Sequence, residues 1–127
     1  MIDRESAIFE YVSTRLRIKY PEIYVVGTEI TSTPPRFPAV SIVQTNNAVK
    51  LEHSTFDSLE NVVREDYKAE VFSNLETGKE KQTKEITNDI SDFFTDIGYQ
   101  RTFCEPVPNI DSSISRRTSR FIKNNVI

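Results

Sequence analysis

The sequence predicts an α+β fold, with two amphipathic helices on a mainly antiparallel sheet in the order α-β-β-β-α-β-β. Three observations carry this. Ile86, Ile90, Phe93 and Ile97 recur at helical spacing within a charged stretch that stops at Gly98. Val63, Tyr67, Ala69 and Val71 alternate with Arg64, Asp66, Lys68 and Glu70, the period of a strand with one buried and one wet face. The remaining apolar stretches are short, rich in β-branched and aromatic residues, and bounded by prolines and glycines.

The first helix runs from Asp3 to about Tyr20. Ile8, Val12 and Leu16 form its inner face with Tyr11 beside them, Asp3 and Glu5 suit its positive end, and Pro21 stops it. Ile23 to Ile30 reads as a first strand, bulged at Gly27. Thr31 to Arg36, with Pro34-Pro35, is a rigid turn, and Pro38 to Thr45 is a second strand with Val40 and Ile42 on one face. Asn46 to Ser58 lacks periodicity and reads as a long loop, a kind of segment that is often functional.

Leu59 to Leu75 is the strongest strand, and Asn74 with Thr77-Gly78 turns the chain into the second helix. Beyond Gly98 an extended segment is closed by Pro106 and Pro108. Ser113 to Val126 admits two readings. As a strand it sets Arg116, Thr118, Arg120 and Ile122 against Arg117, Ser119, Phe121 and Lys123; as a helix it buries Ile114, Phe121 and Ile122. Asp111-Ser112-Ser113 suits either a turn or a helix cap, and the strand is the reading adopted.

A chain of 127 residues is expected to form one domain able to bury roughly two thirds of its unfolded surface. Its apolar fraction of 37% is thin beside the usual ~45–50%, as suits a flat module that finishes its burial against copies of itself. The single Cys104 excludes a disulfide within the chain and any multi-cysteine zinc site, and the single His53 excludes a histidine-rich metal centre. No apolar run approaches the ~18–20 residues of a membrane span and no signal-like segment opens the chain. No membrane partner and no cofactor are therefore expected, and synthesis in a cytoplasm is. The net charge of −3 is unevenly spread: residues 112–127 carry Arg116, Arg117, Arg120 and Lys123 and no acid, leaving −7 for residues 1–111.

Candidate chemistry is sparse. The glycines are isolated, so there is no phosphate loop, and no serine has a nucleophile-elbow context. His53 with Glu52 and Asp57 is a possible acid–base or metal group, although a lone loop histidine is ordinarily just exposed. Glu65, Asp66 and Glu70 crowd carboxylates on one strand, but Arg64 and Lys68 interleave them as on a solvated face. Cys104 lacks an adjoining base and reads as a structural thiol. The basic end competes on equal terms between contact with a partner and a charge-defended edge strand. Phosphate binding is a third option, weakened by the acidic chain and by Phe121 being the only aromatic there.

Three strings, in this order, resemble the tail terminator or tail-completion proteins of long-tailed bacteriophages and prophages. They are Phe37-Pro-Ala-Val-Ser-Ile-Val-Gln-Thr45 followed by Asn46-Asn47; Tyr67-Lys-Ala-Glu-Val-Phe-Ser-Asn-Leu75 leading through Gly78-Lys79 into the helix; and Gly98-Tyr-Gln-Arg-Thr-Phe-Cys-Glu-Pro-Val-Pro-Asn-Ile-Asp111 with the arginine-rich segment behind it. Each is a loose structural string, so their order carries the likeness, which spans Phe37 to about Arg120; the segment Ser115 to Arg120 is more basic and less aromatic than the family pattern.

The resemblance implies a non-enzymatic protein of the virion tail or neck, made in the host bacterial cytoplasm. It implies a ring, commonly hexameric, that caps the tail tube and docks to the filled head. The implied partners are copies of itself, a tail tube protein, a neck or head-completion protein, and possible contact with DNA in the lumen. On this reading Asn46, Asn47 and His53 belong to a contact loop, and an edge strand pairs with a neighbour's open edge. Arg116, Arg117, Arg120 and Lys123 face either the lumen or an acidic patch of the next subunit, where Asp66 and Glu70 are the suggested partners. Two other functions stay open: another neck protein, such as a stopper or adaptor, and a small nucleic-acid-binding module using the basic end.

Overall fold

A computed structural model of the chain describes residues 5–30, 34–49, 62–107 and 113–126. The elements are α1 (Glu5–Lys19), β1 (Tyr24–Val26), β2 (Ala39–Val49), β3 (Val62–Ser73), α2 (Lys79–Asp96), β4 (Gln100–Val107) and β5 (Ser115–Val126). The fold is α+β in the expected order, with one five-stranded sheet arranged β1-β2-β3-β5-β4. Neighbouring strands are antiparallel, except that β1 runs parallel to β2.

The core lies between one sheet face and the helices. The alternation in β3 sends Tyr67, Ala69 and Val71 to this side, where they meet Val40 and Ile42 from β2 and Phe121 from β5. Val12 and Leu16 from α1, with Ile86, Ile90 and Phe94 from α2, close it. An aromatic cluster fills one end: Phe94 stacks on Phe121 at 4.4 Å between ring centroids, and Tyr99 meets the Phe94 and Tyr67 rings edge-on. In α2 the buried stripe is Thr83, Ile86, Thr87, Ile90, Ser91 and Phe94, so Phe94 rather than Phe93 anchors the helix, while Phe93 and Ile97 are half-buried. The hydroxyls of Thr83 and Ser91 enter this stripe without cost in lost bonds, because they donate to the Glu80 and Thr87 carbonyls one turn earlier.

Gly98 ends α2 as its sequence position predicts. At φ 90° it adopts the left-handed region; its N–H donates to the Thr95 carbonyl and that of Tyr99 to Phe94, the paired bonds of a Schellman turn. The accompanying contact is the Tyr99 ring on Phe94. The Lys123 stem lies 3.2 Å from where a Cβ at Gly98 would stand, and its ammonium donates to the Ile97 carbonyl at 2.7 Å.

Besides Phe94, the structure departs from the sequence expectations in three places. The first strand contracts to Tyr24–Val26, and Gly27 lies beyond it rather than making a bulge inside it. Asn46 to Val49, expected to open a loop, continue β2 after an irregularity between Gln44 and Asn46; residues 50–61 lie outside the described set. Pairing along twelve-residue β3 offers these residues a ladder that outweighs the poor strand propensity of asparagine. The face of β3 expected to be wet is also partly covered. Phe72 packs with Ala39 and Ile114 against Tyr24, Ile30 and Phe37, beneath the segment that joins β1 to β2.

Gly98→Ala is expected to destabilise the protein by about 1–2 kcal/mol, the cost of a left-handed alanine, read as a lower urea midpoint. Gly27→Ala, where the only near neighbour is the Phe9 ring at 3.6 Å, is the control expected to change it little.

Candidate interaction surface

β3 presents opposite faces to two different environments, and a carboxylate is buried on each. On the helix side Glu65 is wholly shielded from solvent and accepts a 2.6 Å hydrogen bond from the Tyr99 hydroxyl. Its other oxygen is without a hydrogen-bond partner among the described residues. Burial, and then the Glu65 carboxylate beside it, hold the Tyr99 phenol well above the ordinary phenol range. The Schellman turn delivers Tyr99 to this position, and the Lys123 ammonium lies 5.5 Å from its ring centre.

On the open side Glu70 is 3% exposed. Arg116 of β5 donates to it through both Nε and a terminal nitrogen, Thr118 donates at 3.3 Å, and the Lys68 ammonium is 3.3 Å away. Lys68 in turn binds Glu29 from the β1–β2 connection at 2.5 Å. That bond holds the Lys68 ammonium above its ordinary range and the Glu29 carboxyl below its own. The chain Glu29–Lys68–Glu70–Arg116 therefore fastens the connection, the centre of the sheet and β5 together. Ser41 adds a 2.7 Å bond to the Thr28 carbonyl.

Beside this network lies a shallow groove of about 330 Å³ lined by Lys68, Glu70, Phe103, Val107, Arg116, Thr118 and Arg120. Phe103, 37% exposed, stands on edge strand β4 directly opposite Arg120 of β5, and Lys68 faces Arg120 from the other side. Lys68 and Arg116 are matched by carboxylates. Arg120 has no ion-pair partner among the described residues.

The four cations of the basic end thus divide as the strand periodicity predicts. Arg116 and Arg120 belong to the open face; Arg117 and Lys123 belong to the helix-side face, where the Arg117 Nε is buried without a partner among the described residues. Asp66 is held by Arg64 at 3.0 Å and Glu70 by Arg116, so both acids suggested for a neighbour's arginines are engaged within the chain. Asn46 and Asn47 lie on β2 opposite Asp66 and Glu65 rather than in a loop. His53 lies outside the described residues, as do Glu52 and Asp57. Sequence reasoning missed Glu29 and Phe103; the first has no local signal, and the second could have been found only from the register that sets it beside Arg120.

Among the described residues no group of three or more histidines, cysteines or acids is placed to hold a metal ion. No described helix is long and apolar enough to cross a membrane. Comparison with protein-family models finds no match, and none is found among curated proteins.

Two outcomes are expected from the buried carboxylates. Arg116→Ala is expected to lower stability by about 2–3 kcal/mol, since Glu70 stays buried with less compensation, whereas the pair Glu70→Leu with Arg116→Met recovers most of it. For Tyr99, the folded phenol titrates above the unfolded one, so the unfolded chain alone releases its proton once the pH passes about 10. Its contribution is complete below that pH and declines above it by up to about 1.4 kcal/mol per pH unit. Tyr99→Phe is expected to cost about 1–3 kcal/mol at neutral pH and to flatten this alkaline decline, both measured by urea unfolding across pH 8–11.

Proposed function

We propose that the protein is a non-enzymatic subunit of virion assembly: a ring-forming tail terminator of a long-tailed bacteriophage or prophage. It caps the tail tube and offers the surface to which the head docks. The observation that carries this reading is the separation of charge and exposure across the sheet. The open face has a groove with the unmatched Arg120 beside the exposed Phe103, while the helical layer behind the sheet is predominantly acidic toward the end of α2. Unlike patches on opposite sides favour head-to-tail contacts between copies, and such contacts close into a ring when the rotation permits.

The resemblance of three ordered strings to tail terminators agrees with this layout. They fall along β2, along β3 into α2, and through β4 toward β5, all of them sheet or helix-end segments that a structural module would use. Glu65 and Tyr99 are paired inside the core, and Lys68, Glu70 and Arg116, although they line the shallow groove, are bonded to one another, which supports a role without catalysis. The partners on this reading are copies of the chain, a tail tube protein, a neck or head-completion protein and DNA passing through the lumen. A stopper or adaptor of the neck would draw on the same surfaces. A nucleic-acid-binding module is supported less, because β5 divides its cations between two faces and Glu70 occupies Arg116.

Light scattering of the purified full chain over a wide concentration range tests the reading. A hexamer would weigh about 88 kDa from a 14.6 kDa chain. A closed species of that kind, or capping of tail-tube ends by the protein, is the expected result. A strict monomer that also leaves tube ends free to grow would overturn it.

A further inference from the structure

We propose that the groove between β3, β5 and β4 is the seat for the acidic end of helix α2 of a second copy of this chain, with Arg120 meeting Asp92 and Asp96. The inference rests on the self-associating reading above and names the two surfaces that it would use.

The groove side is left electrostatically incomplete. Arg120 stands in register with Lys68, a like-charge pair that a sheet tolerates poorly unless an anion lies between or above them. Glu29 and Glu70 neutralise Lys68, and Glu70 also takes Arg116. Arg120 makes no ion pair among the described residues, not even with Glu105, its diagonal neighbour on the same face of β4, and it is exposed beside Phe103. A carboxylate arriving over Phe103 would complete it.

The helix side is incomplete in the opposite sense. Glu85, Asp89, Asp92 and Asp96 fall at successive turns on one stripe of α2, and no basic residue occupies its last turn. The negative end of the helix dipole adds to this excess. Lys81 reaches Glu85 and Lys19 reaches Asp89. Asp92 and Asp96 are exposed and form no ion pair among the described residues; Lys19, which feels the charge of Asp92, is bonded to Asp89. The two unmatched sets differ in sign and lie on opposite sides of the sheet.

That placement decides the kind of contact. One patch cannot pair with itself, so the assembly is heterologous: each copy receives a helix end and offers one. Strand addition is a poor competitor at the β4 edge, the edge that borders the groove. β4 is irregular between Arg101 and Phe103 and carries Pro106, which lacks an N–H, whereas β1 covers only Ala39–Ser41 and leaves Ile42–Val49 of β2 without a strand partner on that side among the described residues. At the groove, docking through faces is therefore favoured over pairing along β4.

Charge reversal in the full chain tests this. The variants are Arg120→Glu, the double variant Asp92→Lys with Asp96→Lys, and all three changes together. All three positions are exposed, so circular dichroism and melting temperature are expected to match the parent and serve as folding controls. Sedimentation and light scattering then read the dissociation constant between copies. Each reversal set alone is expected to weaken association by about tenfold or more, and the combined variant to restore it. Rising salt is expected to weaken the parent.

If the parent associates but neither reversal changes its mass, the groove assignment is overturned while the ring reading stands. If the single sets weaken association and the combination fails to restore it, the pairing of these residues is overturned. A parent that stays monomeric at every concentration overturns the inference, and its premise falls too if tube ends are also left free to grow. Loss of single-stranded oligonucleotide binding in Arg120→Glu, with no change in self-association, would assign the groove to nucleic acid instead.

Discussion

Two carboxylates of one strand have been taken out of water on opposite faces of the sheet, and much of the architecture is arranged to supply their partners. Glu65 receives Tyr99, and Tyr99 is in place only because α2 ends in a left-handed turn that leads straight into β4. Glu70 receives Arg116 and Thr118 from β5 and shares Lys68 with Glu29. An ionised group inside a protein is tolerated when opposite charges or donors replace its water. The order β1-β2-β3-β5-β4 follows the same logic, because it puts β3 in the middle, where partners can arrive from both sides.

The two sites differ in what they do for the molecule. The Glu65–Tyr99 bond is sealed by the aromatic cluster, so it fixes how the helix layer sits on the sheet. The Glu70 network lies near the surface and includes a half-exposed residue, Glu29, from a connection with little regular structure. Its effect is to hold that connection down over Phe72, which gives the open face a covered half and a bare half. The groove is the bare half.

Much of this was legible locally. The alternation from Val63 to Val71 and the split of Arg116 and Arg120 from Arg117 and Lys123 both follow from the two-residue period of a strand, and Gly98 from the needs of a helix end. The failures share a cause, which is that information sat in another strand. Asn46 to Val49 are strand because β3 is there to pair with, and nothing in their own chemistry says so. Phe94 displaced Phe93 because hydroxyls of Thr83, Thr87 and Ser91 are admitted to the buried stripe, widening and rotating it away from the purely apolar positions. Glu70 looked solvated because its neighbours in sequence are charged, whereas its neighbours in space, Arg116 and Thr118, lie more than forty positions away. The candidate surface was therefore only half readable: its arginines were, and the acids that silence one of them and not the other were not.

The shape of the sheet's two margins has a consequence for how such a protein behaves when many copies are made in one place. Sheets with long, regular margins add further chains indefinitely and end as fibres. Here the β4 margin is kinked and lacks an N–H at Pro106, whereas on the other side β1 covers only Ala39–Ser41 and leaves Ile42–Val49 of β2 without a strand partner among the described residues. Association through strands is therefore blunted at one margin and left open at the other. For copies that meet through faces, the rotation between neighbours decides the outcome, since a head-to-tail contact that does not close continues as a filament.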